Sequence, residues 1–156
     1  MRFRDTIDEL TPEDRELLLN RLTLGCGRVA YAARLALGDA ASGAILDMLA
    51  AAHGALAGAE ATLGDEPPAA PASWGDGPGG EGAGLRGVRW AELLAARPGA
   101  EAAALTADLA ALAHQTRELG RAVGADADTG HVRRHLDAIL AALTDVCGRL
   151  AAAVEP

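Results

Sequence analysis

The sequence predicts an all-α fold, and three observations lead there. First, 38 Ala and 23 Leu supply most of the hydrophobic half of the 156 residues, and both rank among the best helix formers. Second, strand-favouring types are scarce: 6 Val, 3 Ile, one Phe, one Tyr and two Trp. Third, apolar residues recur at helical spacing in four long segments bounded by capping or breaking residues. The expected architecture is a single domain over 1–156. It is a four-helix bundle made of two antiparallel helical hairpins (11–64 and 89–156) joined by a long Gly/Pro-rich linker (65–88).

Each element has a local reason. Thr11 is a cap, Pro12 suits the first helical position, and Glu13 and Asp14 favour the positive end of the helix dipole. The apolar pattern then runs to Leu37, where Gly38 ends it. Asp39 is the expected cap of a second helix that reaches Leu63 and stops at Gly64. From Gly64 to Val88 the chain holds 8 Gly and 4 Pro, the composition of a flexible linker. Trp90 to Arg97 reads as a short amphipathic helix stopped by Pro98-Gly99. A long helix from Ala100 to Val123 closes at Gly124. Asp126 or Asp128 caps the last, from Thr129 to Val154.

The buried faces follow from a turn of about 100° per residue. The second long helix shows one stripe, Ile45, Leu49, Ala52, Leu56, Ala59 and Leu63. The third carries Leu105, Leu109, Leu112, Leu119 and Val123, and the fourth runs from Val132 and Leu136 to Leu150 and Val154. The first helix is different. Leu18, Leu22, Val29 and Ala36 form one stripe, and Leu17, Leu24, Tyr31 and Leu35 form a second beside it. That helix is either the most central of the four or makes a dimer contact, and Gly25, Gly27 and nearby Ala residues permit close approach. Ala-rich interfaces bury little area per residue, so a homodimer is expected.

Charge and composition narrow the function classes. The 14 basic residues are all Arg, so chemistry that needs an amine, such as a Schiff base, is excluded. The net charge of −8 offers no footprint for phosphate backbones or anionic lipid; neither nucleic acid nor a membrane is an expected partner. MRFRDTIDEL lacks the apolar core of a secretory signal, and Cys26 and Cys147 fit a reducing compartment, so a cytoplasmic location is expected. Arg without Lys, with abundant Ala, fits GC-rich bacterial coding.

Several residue groups have the types and spacing of chemical sites. His114 and Glu118, then His131 and His135, form H-x3-E, a short turn and H-x3-H. Over these 22 residues the pattern resembles the middle of a hemerythrin-type di-iron bundle, which would imply inward-facing ligands. The further His and Asp of that family are absent. The helix wheel turns His114, Glu118 and His131 toward water, with only His135 at the core boundary. Arg4, Ile7, Leu18 and Arg21 fall at intervals similar to the first helix of helical chorismate mutases, but Pro12 interrupts that helix and the family's Lys is missing. Gly25-x-Gly27-x-x-Ala30 lacks the strand a dinucleotide fingerprint requires. Cys26 and Cys147 lie on core faces, where a thiol packs as a small hydrophobe. No catalytic, metal or cofactor residue is assigned.

The remaining candidates are ligand-binding and interface residues. His53 and Glu60 lie seven apart beside the core stripe, placed to meet a polar group in a groove. Trp74 stands alone in the linker, where it can dock, close a groove or meet a protein partner. The expected function is a non-enzymatic interaction protein, regulatory or scaffolding, that self-associates through Leu17, Leu24, Tyr31 and Leu35. The alternatives are a bundle that binds a small apolar ligand between its hairpins, near His53 and Glu60, and a metal-binding bundle of hemerythrin or ferritin-like type.

Overall fold

The computed structural model describes residues 1–64 and 86–154. Most of the expected linker, with Trp74, lies outside the described residues. Those described form six helices and no strand: α1 (Phe3–Asp8), α2 (Pro12–Leu37), α3 (Ser42–Thr62), α4 (Trp90–Ala95), α5 (Gly99–Gly124) and α6 (Thr129–Val154). The fold is all-α. Helix α1 is absent from the sequence expectation, because six residues are too few to show a hydrophobic period. Its anchor is Phe3, buried in the core.

The long helices touch in a closed cycle: α2 on α3, α3 on α6, α6 on α5, and α5 on α2. Their registers run in opposite senses. Along α2, Arg21 donates to the Gly58 carbonyl (2.9 Å), Gly25 faces Leu56, and Arg28 donates to the Ala51 carbonyl (3.2 Å). Along α3, His53 meets Thr144, while the Leu63 carbonyl accepts from Arg133. The single stripes predicted for α3, α5 and α6 face this core: Ile45, Leu49, Leu56, Leu105, Leu112, Leu136, Ile139 and Leu143 are fully buried. Helix α3 is the one described helix long and apolar enough to cross a membrane by length and composition, and half of that stretch is buried against its neighbours.

The six helices are two equivalent sets. Short helix, long helix, turn and long helix occur twice with a constant offset of 87 residues: Phe3 matches Trp90, Pro12 matches Gly99, and Ser42 matches Thr129. The turns are equivalent in detail. Asp39 and Asp126 have φ of 58° and 55°. The N–H three residues past each helix reaches back to its last turn (Ala40 to Leu35, Ala127 to Ala122, both 3.0 Å). This is the Schellman stop, with Asp in the left-handed position that Asp tolerates better than most residues. Gly38, the expected terminator, keeps a negative φ.

These aspartates cap helices of the opposite set, which corrects the expected caps. The Asp39 carboxylate accepts from the Ala91 N–H of α4, and Asp126 accepts from the Arg4 N–H of α1, both at 2.7 Å. Helix α3 begins after Ala41 without a side-chain cap, and Asp128 is the residue that accepts from Gly130 in the first turn of α6. The exchange continues through the backbone. Phe3 N–H donates to the Ala127 carbonyl and Trp90 N–H to the Ala40 carbonyl, both at 2.9 Å. Thr129 N–H donates to the Met1 carbonyl (2.9 Å) and Ser42 N–H to the Val88 carbonyl (2.8 Å). Such reciprocity is the pattern of an isologous contact, here within one chain. It also corrects the linker boundary: 86–88 are docked on α3, where Arg86 ion-pairs with Asp47 and its carbonyl accepts from Gly43 N–H (2.7 Å).

Candidate functional site

His53 and Glu60, expected beside the core stripe and facing a groove, lie within the core instead. Both are buried, at 1% and 3% exposure, where α3 packs on α6. The seven-residue spacing keeps them on one face, and His53 Nε2 lies 3.4 Å from Thr144 Oγ1. Burial lowers the His53 pKa, because the imidazolium loses hydration there. The equivalent positions in the other set are Leu140 and Cys147, also buried. At these two equivalent positions α3 is polar and α6 apolar.

The histidines of the di-iron-like pattern lie as the wheel expects. His114 is exposed, 3.9 Å from Glu118, whose carboxylate also pairs with Arg121. His131 is exposed and His135 half-buried, with their Nε2 atoms 3.1 Å apart. Among the described residues, no group of three or more His, Cys, Asp or Glu could hold a metal ion. Cys147 is buried and Cys26 half-buried. Desolvation pushes their thiols up to about 12 and about 11, respectively, which disfavours the reactive thiolate.

Two grooves follow the contact between α2 and α5, on the opposite side of the helix cycle from His53. The larger, about 470 Å³, is lined by Ala33 and Ala36 of α2 and by Ala110 and Ala113 of α5. Alanine at these positions leaves the helices in contact but the space between their faces unfilled. Leu94 of α4 closes one side, and Arg117 lines the end away from Thr106. The smaller, about 290 Å³, is lined by Leu22, Thr23, Cys26 and Val123 among others. It is the equivalent of the first: Leu22, Thr23 and Cys26 match Leu109, Ala110 and Ala113, and Val123 matches Ala36. The position equivalent to Arg117 is Ala30, so only one of the paired grooves carries the cation.

The second stripe of α2 faces outward. Leu17, Leu24 and Tyr31 are 40%, 50% and 49% exposed. Leu35, expected with them, is half-buried against the core. The fold does not require this stripe. The equivalent positions on α5 are Ala104, Ala111 and Glu118.

Comparison with protein-family models, curated protein sequences and solved structures finds no match. The structure therefore brings His53 and Glu60 into one interface but separates them from the ligand-sized space, and Trp74 lies outside the described residues. Sequence reasoning missed Arg117, an exposed Arg on a helix that looked routine. The signal that could have found it is the 87-residue offset, visible in Arg2-Phe3 with Arg89-Trp90 and in Asp39-Ala40-x-Ser42-Gly43 with Asp126-Ala127-x-Thr129-Gly130.

Proposed function

We propose that this protein is a cytoplasmic interaction protein, a four-helix bundle of two antiparallel hairpins that self-associates through the outer face of α2. The opposed helix registers and the closed cycle of contacts support the bundle reading. The observation that carries the function is the exposed row Leu17, Leu24 and Tyr31. Its seven-residue spacing places all three on one seam, as a helix uses to meet another helix. The equivalent seam on α5 is small or charged, so the apolar residues are not there to hold the monomer together. A second copy is the economical partner, because a seam on one helix meets its own copy across a two-fold axis. Gly27 stands on the same outer face with open space beside it, which leaves room for close approach.

Sedimentation velocity on the wild type and on Leu24→Asp tests this reading. The expected result is a concentration-dependent dimer for the wild type and a monomer for Leu24→Asp with unchanged far-ultraviolet circular dichroism. A wild type that remains monomeric at high concentration, or a Leu24→Asp variant that dimerises as well as the wild type, refutes it.

A further inference from the structure

We propose that the groove between α2 and α5 that ends at Arg117 binds a single-chain anionic amphiphile of the fatty-acid type, with its alkyl chain along the Ala-lined trough and its carboxylate on the guanidinium. Size, lining and charge each contribute. A volume of about 470 Å³ falls in the roughly 300–1,000 Å³ range of small-molecule sites. It is about three times the ~150 Å³ of an apolar cavity that takes benzene, so it has room for a chain of ten or more carbons. Length agrees. Thr106 and Arg117 line opposite ends, and eleven helical residues span about 16 Å. At about 1.3 Å per carbon, from a C–C bond near 1.5 Å, that is roughly twelve carbons.

Charge decides the class of ligand. Among the described residues, Arg117 makes no hydrogen bond or ion pair. The acids nearest it on its own helix are engaged elsewhere: Glu118 with Arg121, and Asp108 with Arg149. A guanidinium beside an apolar trough offers a carboxylate a charge-assisted, bidentate contact. The mate groove is the internal comparison. It repeats the trough between the same two helices but is smaller and has Ala30 where the larger one has Arg117. One site per chain is therefore expected, although the fold supplies two grooves.

The probes are dodecanoate, dodecanol and dodecyltrimethylammonium, each below its micelle-forming concentration, titrated calorimetrically into the full chain. Dodecanoate should bind one per chain, and the cationic chain should not bind. Arg117→Gln should weaken dodecanoate about tenfold or more and leave dodecanol unchanged. Ala110→Phe, which fills the trough, should abolish binding of both, with circular dichroism confirming the fold. The same titration on Leu24→Asp should give the same affinity, because the groove is independent of the α2 seam. Absent dodecanoate binding, two sites per chain, equal affinity for the cationic chain, or an Arg117→Gln variant that binds dodecanoate like the wild type would each overturn the proposal.

Discussion

Substituting Gly25 and Gly27 by Ala, two residues apart on one helix, should change stability in opposite directions. At Gly25 a new Cβ would stand 2.4 Å from Leu56 Cγ and 2.5 Å from Leu56 Cδ2, whereas ordinary contact begins near 3.4 Å. Leu56 must retreat by about 1 Å, yet it is fully buried between α2 and the rest of the core. Overpacking of this kind costs about 1–3 kcal/mol. At Gly27 the new methyl meets nothing within 4 Å. Both variants gain the same helix-propensity benefit of about 1 kcal/mol, so their difference isolates the clash. At dilutions where the chain is monomeric, Gly27→Ala should be more stable than the wild type by about 1 kcal/mol, and Gly25→Ala less stable by a similar amount. Urea denaturation followed at 222 nm measures both. A separation of 2 kcal/mol corresponds to about 4–8 °C in melting temperature for a chain of this size. In a double-mutant cycle, Leu56→Ala should cost less in the Gly25→Ala background than alone, because the methyl occupies part of the vacated space. Two single variants within about 0.5 kcal/mol of each other would show that Gly25 does not set the α2–α3 spacing.

Two other outcomes follow from the capping exchange and the buried imidazole. Asp39→Asn should preserve stability, and Asp39→Ala should lose about 1–2 kcal/mol by urea denaturation, since only the first keeps an acceptor for α4 in a residue that tolerates positive φ; equal losses would mean that the exchange between the two sets is not stabilising. His53 has a folded pKa below its ordinary 6.5, so the unfolded chain takes up this proton first, and the stability present above about pH 6.5 is lost as pH falls below it. His53→Leu, which copies Leu140, should therefore lose less stability than the wild type between pH 7 and pH 5; parallel losses would show that His53 does not contribute to the acid slope.

The sequence by itself determined the elements that depend on neighbours along the chain. Ala and Leu at helical spacing specified four long helices, and Thr11-Pro12 placed the start of α2 correctly, because both signals are read within a few residues. The wheel also sorted His114 and His131 to the surface, since a face is a property of one helix. What one helix cannot contain was decided by the tertiary structure. Asp39 looks like the cap of the helix that follows it, yet a left-handed turn directs its carboxylate across the protein to α4. Helix α1 is too short to show a period and holds only because Asp126 and Ala127 receive its first N–H groups and the core receives Phe3. His53 and Glu60 sit one step off the stripe, at the edge of what a wheel resolves, and packing by α6 buried them. The exposed row on α2 was legible as a second apolar stripe. Whether it met the protein or the solvent depended on where α3 and α5 came to lie. The grooves depended on the same placement, because a row of Ala is only a good helix until a second such row lies against it and leaves a space between.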